Sequence, residues 1–231
     1  MELSHKLRMN KTPILIPIKG ISKRCPNKNK ELLHFTVKLL ERSNCMSSAI
    51  VISDSTGLLD LSKKYGLKTH LEIRDDGQDE LMSCYNFIKT TSSEAFILLP
   101  VTHPFRDIKL IDKCYDLFMN SKNEINFITS YIEVVNRERF HINFTDGNPT
   151  FKNNHKIRMG ESCTIIPMID GAIYMIKSDF IKKAALSENT NKTFWRGKFD
   201  CIKNNAPFID IDSIEDMNNV SLLDFYINNK F

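Results

Sequence analysis

The sequence predicts an α/β fold, a mainly parallel sheet with helices on both faces. Short aliphatic runs alternate with amphipathic stretches along most of the chain. Runs such as Ala95 to Leu99 are apolar throughout, as strands covered on both faces are. The 231 residues are 42% apolar and 26% charged, which suits one domain with a single large core.

Pro13 to Ile18 opens the pattern as a strand, and a Lys-rich, Pro-containing loop leads into a helix marked by Leu33, Val37 and Leu40. Ala49 to Ile52 is the next strand, Leu58 to Tyr65 the next helix, and Lys68 to Glu72 a short extended piece. In Glu80 to Thr91, Leu81, Cys84, Tyr85 and Ile88 form an apolar helical stripe that faces a sheet. Ala95 to Leu99, Ile108 to Met119 and Asn126 to Val134 follow as strand, helix and strand. The period breaks between about Asn136 and Pro167, where Asp146, Gly147, Asn148 and Pro149 make a turn, so a hairpin-like insertion is expected at about 136–167. Ala172 to Ile176 then reads as strand, Asp179 to Leu186 as helix, Ser187 to Lys192 as polar linker and Phe208 to Asp212 as a last strand. Ser213 with Asp216 is a capping-box start for a final helix. Residues 1–11 are expected to form a mobile leader ahead of one domain spanning 12–231.

Composition excludes several classes. No apolar run approaches the ~20 residues of a spanning helix, and nothing near Met1 has the apolar core of a signal peptide, so neither membrane insertion nor secretion is expected. Six scattered cysteines without a C-x-x-C pair read as reduced thiols of a cytoplasmic protein. The eight glycines form neither G-x-G-x-x-G nor G-x-x-x-x-G-K, and no H-E-x-x-H or G-x-S-x-G is present. The net charge of +4 arises from residues 1 to 30, whose six Lys and two Arg oppose only Glu2. Such local excess fits an anionic ligand better than a nucleic-acid backbone, which favours a spread basic stripe.

Two segments could carry chemistry. In the loop after the first strand, Lys19, Lys23, Arg24 and Lys28 could surround a triphosphate, with Gly20 letting the backbone approach and a helix N-terminus following. A solvated basic loop would read the same way. Asp210 and Asp212, two apart on an expected strand, would project from one face while Ile209 and Ile211 turn inward. Two carboxylates plus substrate phosphates suit Mg²⁺, although acids exposed at a strand end have the same pattern.

Ile16-Pro17, Lys19-Gly20, Ser22-Lys23-Arg24 and Pro26-Asn27-Lys28-Asn29 resemble the opening signature IPARGGSKRIPNKN of the acylneuraminate cytidylyltransferases, or CMP-sialic acid synthetases. Ser53-Asp54, Leu98-Leu99 with Thr102, Pro104 and Arg106 (LLQPTSPLR), Gly171 to Tyr174 (NGAIY), and Asp210 to Asp212 with Glu215-Asp216 (DIDTEED) follow in family order. The resemblance spans about Ile14 to Met217. It implies a Rossmann-like nucleotidyltransferase that joins CTP to a 2-keto sugar acid, releases pyrophosphate and supplies a CMP-sugar for surface glycan synthesis.

The resemblance also implies roles. Lys19, Lys23 and Lys28 would bind phosphate, with Gly20 and Ser22 in the same loop. Asn29 and Arg74 would lie on the cytidine side, and Asp210 with Asp212 would hold Mg²⁺. Thr102, His103, Arg158 and Asp170 would face the sugar, and the insertion would mediate a homodimer contact. A histidine such as His103 is more often a packed loop residue than a ligand contact. The chain departs from the family at Lys19 (family Arg), Ile21 (Gly), Asp170 (Asn) and Pro100-Val101-Thr102-His103 (Gln-Pro-Thr-Ser). The last departure leads to the expectation that Pro100, Val101 and His103 line the sugar pocket. Alternatives are an eight-carbon Kdo-type cytidylyltransferase, whose opening loop reads more like ARYGSTRLPGKP, and a non-catalytic nucleotide-sugar-binding protein of the same fold.

Overall fold

The computed structural model describes residues 12–22, 24–121, 124–136, 141–145, 147–151 and 164–230. Along the chain run β1 (Ile14–Ile18), α1 (Lys28–Arg42), β2 (Ala49–Ser53), α2 (Thr56–Lys64), β3 (Lys68–Leu71), α3 (Glu80–Ile88), β4 (Ala95–Leu98) and α4 (Leu110–Ser121). There follow β5 (Phe127–Asn136), β6 (Ile142–Thr145), β7 (Asn148–Phe151), β8 (Thr164–Lys177), α5 (Ser178–Ala185), α6 (Thr190–Phe194), β9 (Phe199–Lys203) and α7 (Ile214–Lys230). The expected leader, 1–11, lies outside the described residues.

Seven strands form one sheet in the order β3-β2-β1-β4-β8-β5-β9, and β6 pairs with β7 as a separate hairpin. The fold is α/β, as expected. All five residues of β1 are buried because both faces of the strand are covered. Ile14, Ile16 and Ile18 pack on one side with Leu32, Leu33 and Leu40 of α1 and Ile111 of α4. Leu15 packs on the other with Phe96 and Leu98 of β4 and Leu81, Cys84 and Ile88 of α3. Phe127 anchors that second layer, its ring stacked on Phe194 at 4.3 Å and Phe199 at 5.1 Å.

Three elements differ from the sequence reading. The strand expected at Ala172 to Ile176 is the end of a 14-residue strand, β8, antiparallel to both β4 and β5. Its outer half and that of β5 form a ribbon that runs into the expected insertion, leaving β6 and β7 as the hairpin. Phe208 to Asp212 forms no strand; the edge strand is Phe199–Lys203, parallel to β5. Part of the expected linker is α6, whose cap is Asn189 accepting the Lys192 N–H at 2.8 Å.

The parallel arrangement puts the loops after β1, β2, β3 and β4 at one end of the sheet, where ligands of open α/β sheets bind. No described helix is long and apolar enough to cross a membrane. Phe127 is fully buried, so Phe127→Ala is expected to cost about 3–5 kcal/mol of unfolding free energy in a urea titration.

Candidate active site

The loop after β1 is closed on itself before any ligand is considered. Asn29 Nδ2 donates to the Lys19 carbonyl at 2.7 Å, and Ser22 Oγ accepts the Cys25 N–H at 3.3 Å. Gly20 donates its N–H to Asp54 Oδ1 at 2.7 Å, and a Cβ there would lie 2.8 Å from Ser55 Cβ. Glycine is thus required by packing against the β2–α2 loop. Asn27, the residue that starts α1, takes a left-handed φ of 64° and offers no side-chain cap, so the positive end of a 15-residue helix opens onto the loop.

Lys28 then binds this loop to the far end of the chain. Its Nζ donates to the Ile211 carbonyl at 2.7 Å and lies 3.6 Å from Asp212 Oδ1. The lysine is only 9% exposed. Arg24 grips Asp212 with two nitrogens, at 3.1 and 3.0 Å. Ile211 is fully buried and donates its N–H to the Thr102 carbonyl at 3.0 Å. The inward turn of Ile211 and outward turn of Asp210 and Asp212 therefore survive without the expected strand, and both carboxylates are about half exposed (47% and 50%).

Between these walls is an open cleft of about 830 Å³. Lys19, Ser22, Lys28, Asn29, Arg74, Thr102, Asp210 and Asp212 all line it. An adjoining hollow of about 220 Å³ is lined by Gly20 and the first turn of α1. Lys23 and Arg158 lie outside the described residues. Among the described lining residues the cleft has four cations and seven carboxylates, the latter including Asp54, Asp75, Asp76, Asp79 and Glu80. Positive charge gathers by the loop after β1. A bare anion would meet too many acids here, whereas a polyphosphate carrying a cation would complement both groups.

Arg74 is fixed from below. Its Nη1 is 3.1 Å from Glu72 Oε1, both side chains 5% exposed, and its Nη2 donates to the Gln78 carbonyl at 3.2 Å. Gln78 and Ser83 each donate to Glu72 at 3.0 Å, so the buried pair has the further hydrogen bonds that make such a pair tolerable. Arg74 Nε is buried with no partner.

Many solved structures share this architecture. The CMP:2-keto-3-deoxy-manno-octonic acid synthetase complexed with CTP aligns at a TM-score of 0.64 and 13% identity, covering 92% of this chain and 98% of that one. A cytidylyltransferase from Leptospira borgpetersenii serovar Hardjo-bovis (strain JB197) aligns at 0.61 and 18%, covering 91% and 84%. The 4-diphosphocytidyl-2C-methyl-D-erythritol synthase from Anaerococcus prevotii DSM 20548 aligns at 0.58 and 16%, covering 92% and 99%. The chain shares the α/β fold of these structures. No family model matches it, and no curated protein matches it in sequence.

Within this fold, the residues expected on the sugar side divide. Thr102 lines the cleft. Val101 belongs to the core at 1% exposure, correcting its expected place in a pocket wall: it follows a buried strand end and points into the apolar layer. Pro100 is buried too, its carbonyl accepting a hydrogen bond from Arg106. Asp170 is 5% exposed, and its carboxylate accepts from Ser130 Oγ and from Asn204 Nδ2, the latter at 2.8 Å. His103 is buried with Nε2 3.7 Å from Asp210 Oδ1.

Several residues of the site escaped the sequence reading. Glu72, Gln78 and Ser83 hold Arg74, but nothing in their spacing sets them apart from ordinary polar residues. Glu80 looks like a helix-start acid, yet it lines both the cleft and a second cavity of about 230 Å³ walled by Leu98, Tyr174, Phe194 and Trp195. Burial pushes its carboxyl up to about 7, opposed by Arg74 and Lys28 and reinforced by Asp210 and Asp79.

Burial, helped by Arg106, pushes His103 down to about 4, against the pull of Asp210, Asp170 and Asp212. Below the ordinary value of 6.5 the unfolded chain therefore takes up a proton that the native chain refuses, so this histidine's contribution to stability is complete above that pH and is lost as pH falls towards about 4. The loss is on the order of 3 kcal/mol. Chemical denaturation of wild type and His103→Gln across pH 4 to 7 is expected to show the difference shrinking as pH falls through that window.

Proposed function

We propose that the chain is a cytidylyltransferase that joins CTP to a 2-keto sugar acid of the N-acylneuraminate type, giving a CMP-sugar and pyrophosphate for surface polysaccharide synthesis. The observation that carries this reading is the Lys28 bridge, which brings the basic loop and the Asp210–Asp212 pair to one cleft from positions 183 residues apart. Of the motifs in the resemblance, the loop after β1, Asp54, Thr102 and the Asp210–Asp212 pair contribute residues to the lining of that cleft. Structural neighbours that include a CTP complex of a keto-acid CMP synthetase support the nucleotide.

In this reading Lys19, Lys23 and Lys28 hold the triphosphate with the N-terminus of α1, while Gly20, Ser22 and Asn29 shape the loop and Arg74 faces the cytidine. The sugar hydroxyl attacks the α-phosphorus, so the protein's task is alignment and stabilisation of spreading negative charge. Thr102 stands on the sugar side with His103 and Asp170 behind the cleft wall, and Arg158 is assigned to the sugar carboxylate. Asp210 and Asp212 suit Mg²⁺ as hard oxygen donors on the cleft wall. With no larger His, Cys, Asp or Glu cluster among the described residues, phosphates and water would complete its shell. When bound, the ion would neutralise phosphate charge and align the leaving pyrophosphate. Arg24, 73% exposed, can release Asp212 as the ion enters.

An octonic acid acceptor is the second reading, favoured by the likeness to the CMP:2-keto-3-deoxy-manno-octonic acid synthetase. We also infer a homodimer through the β5–β8 ribbon, where Val135, Ile165 and Ile166 stand exposed, as does Phe144 of the hairpin.

Incubation with CTP, Mg²⁺ and a panel of keto sugar acids is expected to release pyrophosphate, most with an N-acylneuraminate. Preference for the octonic acid selects the second reading, and CTP binding without pyrophosphate release selects a binding protein. Asp210→Asn and Asp212→Asn are each expected to lower kcat at least about 100-fold, consistent with several kcal/mol of lost charge stabilisation. Analytical ultracentrifugation is expected to show a dimer that Phe144→Asp with Ile165→Asp converts to monomer.

A further inference from the structure

Asp79 and Glu80 are the two residues lining both the cleft and the aromatic-walled cavity beside it. In a nucleotidyl transfer the attacking hydroxyl must sit at such a seam, with the nucleotide on one side and the acceptor's body on the other. Asp79 is already engaged: Oδ1 caps α3 by accepting the Met82 N–H at 2.8 Å, and Oδ2 accepts from Asn191 Nδ2 at 2.8 Å. Glu80 has no hydrogen bond or ion pair among the described residues, although it is largely withdrawn from solvent. A carboxylate so placed calls for a donor, and phosphate offers none. Its complement is therefore an O–H of the acceptor.

We propose that Glu80 is the general base that takes the proton from the attacking hydroxyl of the sugar acid, an assignment that rests on the cytidylyltransferase reading above. As the hydroxyl oxygen bonds to the α-phosphorus, the bond from that phosphorus to the bridging oxygen of pyrophosphate breaks and its electron pair leaves with pyrophosphate. The O–H proton passes to a Glu80 Oε, and solvent later removes it.

The surroundings suit that task. Arg74 and Lys28 face Glu80 as cations, and Asp210 and Asp79 as anions. Tyr174, Cys84 and Arg106 lie within its field as well, the two former kept neutral by burial. Burial dominates this balance and raises the proton affinity of Glu80 to the neutral range, where a carboxylate base works best. His103 is a poor substitute because its buried ring resists protonation.

The test compares wild type with Glu80→Gln and Glu80→Asp by pyrophosphate release across pH 5.5 to 9, with CTP affinity measured separately by calorimetry. The expected result is a kcat lowered at least about 100-fold in Glu80→Gln, CTP affinity within about threefold of wild type, and loss of the rising limb of kcat/KM near pH 7. Glu80→Asp, which retains a shorter carboxylate, is expected to keep a rising limb at reduced kcat. Turnover of Glu80→Gln within about threefold of wild type, or an unchanged limb, overturns the base while leaving the parent reading standing. A wild-type chain that binds CTP and turns over no acceptor overturns the parent reading and the base with it.

Discussion

A buried ammonium group organises this molecule. Lys28 stands at the first turn of α1, yet its Nζ ends on the carbonyl of Ile211 and beside the carboxylate of Asp212. Because so little of the lysine reaches water, its charge must be met by protein or ligand oxygens, and the segment carrying Asp210 and Asp212 is drawn against the loop after β1. Thr102 completes the join by accepting the Ile211 N–H. The cleft owes its shape to this three-way meeting of the β1 loop, the β4 loop and the approach to α7. Lys28 is thus part of the framework as well as a charge in the cleft, unlike a lysine on a solvated loop.

Three further buried charges, Arg74, Arg106 and Asp170, obey the same rule. Arg74 is met by the Glu72 carboxylate and the Gln78 carbonyl, and Glu72 is held in turn by the Gln78 amide and the Ser83 hydroxyl, so the guanidinium reaches the cleft without a freely rotating stem. Arg106 donates to the carbonyls of Ala172 and Pro100 and to Thr36, tying β8, the β4 loop and α1 together. Asp170 is fixed by Ser130 and Asn204. Arg106 and Asp170 join elements far apart in sequence, whereas the Arg74 network is local to the segment ahead of α3. Polar networks therefore set how the loops meet, while the apolar layers set how the helices lie on the sheet.

Hydrophobic period made the first half of the fold legible, since Ile14 to Ile18, Leu32 to Leu40 and Leu81 to Ile88 each have one local solution. The direction of β8 was hidden. A strand shows the same alternation whichever way it runs, and Pro167 in its outer half looks like a break. β9 was hidden because its edge position leaves Phe199, Asp200 and Lys203 exposed and erases the apolar run. At the site, the Lys19 to Asn29 loop and the Asp210–Asp212 pair stood out by charge and spacing. Glu72 and Glu80 did not, because their importance comes from burial, which arises only when distant segments pack. The expectation for Val101 failed for a related reason: a strand's exit residue faces the ligand or the core according to a local turn that spacing does not reveal.

The place of β8 also bears on the order in which the sheet can be assembled. β8 lies between β4 and β5, so β5, although it emerges from synthesis first, has no position in the sheet until residues up to Lys177 have followed. β1 to β4 can pair meanwhile through parallel contacts, with the edge of β4 left open. At a synthesis rate of roughly 5–20 residues per second, the nascent chain carries that unsatisfied edge for seconds. Such an edge invites pairing with another chain, and the late antiparallel strand is the piece that seals it.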